Sequence, residues 1–140
     1  MHPVQFFSNE IKRRLVEVET PELEKVQADF AKKLGLPTRT SLEKIVASIW
    51  NRFTPLHPQS ANNKDFNLAS ILASNQIIPC EDVYIYWDQR NGFNKVRLED
   101  LSRDFKDIWC PLPSDIMLFD ESYSWALYIA SNGVPSLARF

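Results

Sequence analysis

Hydrophobic residues in the first half of the chain recur every three or four positions. This spacing is typical of amphipathic helices, because residues three and four apart share one helix face. The pattern predicts helices over residues 8–18, 20–34, 40–53 and 66–74. Ser, Thr or Pro stands at the first three predicted starts, and Gly35 stands where the second helix should end.

The third of these helices has the widest predicted apolar face. That face is made of Leu42, Ile45, Val46, Ile49, Trp50 and Phe53. An apolar helix face of this kind normally packs against the core of a globular protein.

The second half of the chain favours strands. Residues 83–87 and 93–98 are rich in β-branched and aromatic side chains, and Asn91-Gly92 between them is a strong hairpin-turn dipeptide. A short helix is expected over residues 99–105. Further strands are predicted over residues 116–119, 125–130 and 136–140, the last two joined by a hairpin at Asn132-Gly133.

These elements together predict an α+β fold. About four N-terminal helices should pack on a mostly antiparallel C-terminal sheet of four to five strands. A length of 140 residues is ordinary for one domain. We therefore predict a single domain over residues 1–140, with a helical half (1–78) and a strand-rich half (79–140).

The net charge differs in sign between the two halves of the chain. Residues 1–70 contain 10 Lys or Arg and 8 Asp or Glu, whereas residues 71–140 contain 6 and 10. The acids of the second half all lie between Glu81 and Glu121, among large aromatic residues. Acids beside rings suit one contiguous surface for a basic partner protein, since charge steers the encounter and rings anchor it.

The residues predicted to bind that partner share this acid-and-ring pattern. They are Asp88, Asp104, Asp107, Asp115, Asp120, Glu121, Trp87, Trp109 and Tyr123. An alternative interpretation places the tryptophans in the core and leaves the acids as a solvated cluster at strand ends. Trp125 lies inside an apolar run and is expected in the core.

Catalytic and metal-binding patterns are weak in this sequence. His2 and His57 have no Cys, Asp or Glu at the spacing of a metal site or a catalytic triad. Cys80 and Cys110 are expected to be free, buried thiols. We predict no catalytic residue, no metal and no cofactor. One enzymatic alternative stays open, a small hydrolase that uses Asp115 or Glu121 as one of two paired carboxylates.

Composition also bears on location and on nucleic acid. No apolar run approaches the ~20 residues that span a bilayer, so we expect no membrane contact and a cytoplasmic location. The net charge of −2 is unfavourable for direct binding to phosphate backbones.

Three stretches of the second half resemble a known family. They are YIYWD at 84–88, DIWCP at 107–111 and SDIMLFDESYSW at 114–125. Their aromatic placement is similar to that of small bacterial proteins in which W-D-x-W-Y-P-S-S-D-D precedes F-D-x-S-x-x-W. The likeness runs from Asp82 to Asn132, although Cys110 replaces a common aromatic and Ala130–Gly133 lacks the His and Glu that often follow.

Proteins of that family resemble immunity proteins of polymorphic and contact-dependent growth inhibition toxin systems. The resemblance implies a cytoplasmic protein that is not an enzyme and that neutralises a cognate toxin by covering its active or substrate-binding surface. The expected partner is a basic toxin domain of the nuclease class, bound by a monomer or weak homodimer. A regulatory or scaffold module with a different protein partner is the alternative.

Overall fold

The computed structural model describes residues 8–56, 59–88, 92–109 and 115–140, and the side chain of Asp88 is outside that description. Within these ranges the helices are α1 (Asn9–Arg14), α2 (Thr20–Lys33), α3 (Leu42–Ile49), α4 (Leu68–Ser74) and α5 (Leu98–Trp109). The strands are β1 (Val16–Glu17), β2 (Thr54–Pro55), β3 (Asp82–Asp88), β4 (Gly92–Arg97), β5 (Ile116–Phe119), β6 (Trp125–Ile129) and β7 (Pro135–Arg139). A short 3₁₀ helix, Trp50–Arg52, follows α3.

The seven strands of the described residues form one antiparallel sheet in the order β1-β4-β3-β5-β6-β7-β2. Its centre consists of the antiparallel pair β3 and β4 and the consecutive strands β5, β6 and β7, which meet where β5 pairs with β3. Both edges are two-residue strands from the first half of the chain. Short edges of this kind leave little unpaired backbone for another chain to extend.

Helices cover both faces of the sheet. Because strand side chains alternate in direction, Tyr84 and Ile85 point to opposite faces. Ile85 belongs to the core cluster that contains residues of α1, α4 and α5. Tyr84 belongs to the second cluster, which contains residues of α2 and α3. The sheet is therefore the middle of three layers.

The predicted helix start at Ser8 is confirmed, whereas α2 has no side-chain cap and α3 is capped by Ser41, one residue after its predicted start at residue 40. The Ser8 hydroxyl accepts a hydrogen bond from the Ile11 N–H, and the Ser41 hydroxyl accepts one from the Lys44 N–H. Gly35, just beyond α2, has a φ of +73°, which a glycine adopts readily.

The α+β class is confirmed, but the predicted counts and placement are wrong. The described residues form five helices and seven strands, and α5 lies in the strand-rich half. The short helix expected over 99–105 is 12 residues long, because Leu101, Phe105 and Ile108 continue one apolar stripe. The first helix is shorter than expected, since the chain leaves helical geometry at Leu15 to form β1.

Candidate partner-binding groove

The predicted aromatic anchors lie in the interior. Trp109 has no exposed surface, and Trp87 and Tyr123 are 3% and 9% exposed. The Trp87 indole N–H donates to the Asn94 side-chain oxygen, 3.0 Å away. The Tyr123 ring lies 5.3 Å from that of Phe30, centroid to centroid. The expectation that these three rings are exposed is wrong, whereas the core assignment of Trp125 is confirmed.

Asp120 is also buried, with no exposed surface. One carboxylate oxygen accepts from the Cys80 N–H at 2.8 Å and from the Trp125 indole N–H at 2.9 Å. The other accepts from the Ser122 N–H and hydroxyl. Burial alone would raise the pKa of this carboxyl, but the four hydrogen bonds outweigh burial and hold the pKa below its ordinary value. Asp120 is thus an internal connector, and its prediction as a surface contact is wrong.

The acids of α5 face away from the α2 and α3 layer. Asp104 is paired with Arg14 at 2.6 Å and with Arg103 at 3.2 Å. The hydrogen bond from Arg103 is the largest influence on the pKa of Asp104 and lowers it. Burial opposes this effect, and the charge of Arg103 and the hydrogen bond from Arg14 add to the lowering, so the pKa lies below its ordinary value. Asp107 is exposed near the end of the same helix.

Asp115 and Glu121 are both exposed, but they flank opposite ends of β5. The four strand residues between them span roughly 13 Å of extended chain. The acids therefore do not form the single contiguous surface that we expected. Partner binding by Asp88, Asp107, Asp115 and Glu121 stays a prediction.

A different part of the surface exposes aromatic side chains. Leu42, Ile45 and Ile49 of α3 are buried against the sheet. Val46, Trp50 and Phe53 form a second stripe on the same segment and are half-buried or exposed, with Trp50 53% exposed. Because residues one apart on a helix differ in direction by about 100°, both stripes cannot face the core.

Val46 of the second stripe lines a groove on the sheet, and the rings of Trp50 and Phe53 contact Tyr128 at its edge. Strand register places Phe93, Tyr86, Met117 and Tyr128 in one row across β4, β3, β5 and β6. The α2 and α3 layer covers the neighbouring row, so Tyr86 and Tyr128 keep part of their surface exposed. We call the depression over this row the Tyr86 groove.

The Tyr86 groove has two adjoining parts, both bordered by Tyr86. The first has a volume of about 390 Å³ and is lined by Val46, Met117, Tyr128, Asp115 and Ser131 among others. The second has a volume of about 270 Å³ and includes Glu17, Glu43 and Phe93 in its walls. Among the described residues that line either part, three are carboxylates and none is Lys or Arg.

Asp115 is held at the end of the first part. One of its oxygens accepts from the Tyr128 hydroxyl at 2.8 Å, and the other accepts from the Ser131 N–H at 2.6 Å. Burial, together with this hydrogen bond to Asp115, raises the pKa of Tyr128 above its ordinary value, so the hydroxyl stays a donor at neutral pH. No described Lys or Arg forms an ion pair with Asp115.

Trp50 completes the rim beside Tyr128. The two rings meet edge to face, with centroids 5.0 Å apart. Arg52, two residues further on, directs its guanidinium to the Phe140 ring at 5.6 Å. The exposed Trp50 indole therefore lies next to Tyr128, whose hydroxyl donates to Asp115.

Other chemistry in the described residues is sparse. Cys80 is a free thiol, and burial followed by the nearby Asp120 raises its pKa. No group of three His, Cys, Asp or Glu in the described residues is arranged to hold a metal ion. No helix of the described residues is long and apolar enough to cross a membrane. His2, His57 and Cys110 lie outside the described residues.

Sequence reasoning missed Trp50, Tyr86 and Tyr128 as groove residues. Trp50 carried a signal, because it follows Ile49 directly and both cannot point to the sheet. Tyr86 and Tyr128 carried none. The sequences of their strands are typical of half-buried strands, and only the position of α3 leaves the two tyrosine side chains partly exposed.

No protein-family model and no curated protein matches this chain. The groove, the charge distribution and the aromatic pattern of residues 84–125 are therefore the features that bear on function.

Proposed function

We propose that this protein is an immunity protein that binds a basic toxin domain stoichiometrically in the bacterial cytoplasm. The toxin class that best fits this charge is a nuclease, whose substrate-binding face must be basic to hold phosphates. The protein acts as a monomer or weak homodimer, without a cofactor and without touching nucleic acid itself.

The Tyr86 groove carries this proposal. Partly exposed rings at Trp50, Tyr86 and Tyr128 supply the large apolar contacts that dominate binding energy. Glu17, Glu43 and Asp115 supply charge of the sign that a basic face requires. A surface with both properties can block a toxin by coverage, which needs no chemistry from the inhibitor.

Long-range charge supports the same partner. The excess of acids in residues 71–140 includes exposed groups on several sides of the molecule, such as Asp107 and Glu121. Scattered acids do not make one interface, but they accelerate encounter with a basic protein and make its rate sensitive to salt. They should therefore affect association more than they affect the lifetime of the complex.

The hydrolase alternative is less well supported. It needs two carboxylates roughly 5–9 Å apart around a cleft. Asp115 and Glu121 flank opposite ends of β5, and both oxygens of Asp115 already accept hydrogen bonds. A regulatory module with a non-toxin partner would use the same groove, so identification of the partner separates it from an immunity protein.

Co-expression with the neighbouring gene product tests the proposal. The C-terminal domain of the protein encoded next to this chain is produced in a bacterial host with and without it. We expect growth to stop when the domain is produced alone and to recover when this chain is co-expressed. Light scattering should show a 1:1 complex of the two proteins. Growth arrest that co-expression does not relieve, with no complex formed, contradicts the proposal. Protection without a complex contradicts the stoichiometric mechanism.

A further inference from the structure

We propose that the Asp115 end of the Tyr86 groove is an arginine-binding site that receives one guanidinium from an extended segment of the basic partner. This inference rests on the proposed function, because it names the chemical group that the partner presents. It also stands as a separate claim about this chain, since the site can be tested with arginine alone.

The carboxylate of Asp115 has capacity for such a ligand. An ionised carboxylate offers about four acceptor positions. The Tyr128 hydroxyl and the Ser131 N–H occupy one on each oxygen. These two donors fix the orientation of the carboxylate, yet Asp115 stays exposed and has no ion pair with a described cation. A fixed, unneutralised carboxylate is a preorganised acceptor for a charged donor.

The walls of the site favour a guanidinium over an ammonium. A guanidinium is planar, stacks on aromatic faces and is less strongly hydrated than the ammonium of lysine. Tyr86 and Tyr128 line the approach to Asp115, and Trp50 extends the same wall with its exposed indole. A guanidinium can therefore stack on a ring and donate hydrogen bonds to Asp115 at the same time, whereas an ammonium gains mainly the ionic interaction with the carboxylate.

Charge around the groove selects the same occupant. Asp115, Glu43 and Glu17 are distributed along its two parts, and no described Lys or Arg lines either part. An acidic or phosphate-bearing segment would meet only like charge there. A segment with basic residues meets complementary charge along its length, with the arginine at Asp115 as the anchor.

Titration of the purified chain with capped amino acids tests the site. The probes are N-acetyl-arginine methylamide, its lysine counterpart and its citrulline counterpart, which keeps the shape of arginine without the charge. Binding is followed by ¹⁵N NMR at low salt. With the arginine probe we expect saturable chemical-shift changes at the Trp50 indole N–H and the Ser131 amide. The lysine probe should bind with at least threefold lower affinity, and the citrulline probe should cause no shift.

Two variants and a matched control complete the test. Asp115→Asn keeps an oxygen for the Ser131 N–H and an amide toward Tyr128, so it removes charge with little change of shape. We expect at least fivefold weaker arginine binding in Asp115→Asn and in Trp50→Ala. Glu99→Gln makes the same charge change at an exposed site on α5, in the opposite layer, and should bind arginine as the wild type does.

The outcomes separate the two proposals. Equal binding of citrulline, or unchanged arginine affinity in Asp115→Asn, overturns the arginine site, and lysine binding as tight as arginine overturns its preference for guanidinium. Protection by the Asp115→Asn and Trp50→Ala variants at wild-type level would also overturn the site as the docking point while the immunity function stands. Failure of the wild-type chain to protect, with arginine still bound at Asp115, removes only the function.

Discussion

The buried carboxylate of Asp120 leads to a specific prediction about stability. It joins three segments of chain: the residues before β3 through the Cys80 N–H, the β5–β6 turn through Ser122, and the start of β6 through the Trp125 indole. We expect Asp120→Ala to lower the free energy of unfolding strongly, because the substitution removes the acceptor that these three segments share.

The magnitude follows from the donors left behind. Ser122 is exposed and can turn to water, but the Trp125 indole N–H loses its acceptor in the interior, and the half-buried Cys80 N–H loses its acceptor as well. Each unsatisfied buried donor costs about 1–3 kcal/mol. Removal of the desolvation cost of the carboxylate offsets part of this loss. We therefore expect Asp120→Ala to reduce stability by about 2–4 kcal/mol.

Urea unfolding followed by tryptophan fluorescence measures the effect, with Glu121→Gln as control. Glu121 is adjacent and exposed, so its substitution should change stability by less than about 0.5 kcal/mol. A loss below about 1 kcal/mol for Asp120→Ala, similar to the control, would refute the connecting role.

The pH dependence gives a second check on the same residue. The pKa of Asp120 is lower in the folded protein than its ordinary value, so its charge stabilises the fold above about pH 4. That contribution is lost as the pH falls through the folded-state pKa. The stability difference between the wild type and Asp120→Asn should therefore be larger at pH 7 than at pH 3. An equal difference at both values would show that the charge contributes nothing.

Three further predictions concern packing, backbone and reactivity. Phe30→Ala should cost about 3–5 kcal/mol in urea unfolding, because the ring has no exposed surface and contacts three other aromatic rings. Gly133→Ala should be more destabilising than Gly35→Ala by thermal unfolding: both have positive φ, but only at Gly133 would a Cβ meet Asn62, at 2.5 Å. Cys80 should react with a maleimide more slowly at pH 7 than a free cysteine does, since burial raises its pKa; an equal rate would contradict this.

Sequence patterns predicted the helix boundaries that depend on interactions between residues close together in the chain. Ser41 begins α3 because its hydroxyl satisfies a backbone N–H three residues away, and Gly35 follows α2 because it tolerates a positive φ. The strands of the central sheet were predicted from the same kind of signal. The two-residue edge strands β1 and β2 were not, since they exist only where β4 and β7 offer an edge to pair with.

Burial of individual side chains depends on how distant segments pack together, and local patterns do not predict it. Asp115 and Asp120 both flank β5, yet one is exposed at a groove and the other is fully enclosed. Trp50 and Trp125 both lie in apolar runs, yet only Trp125 is covered. The fold class, the central elements and the charge difference between the halves could be predicted from local patterns in the sequence. The groove was decided only by how α3 lies on the sheet, because burial depends on contacts between segments far apart in the chain.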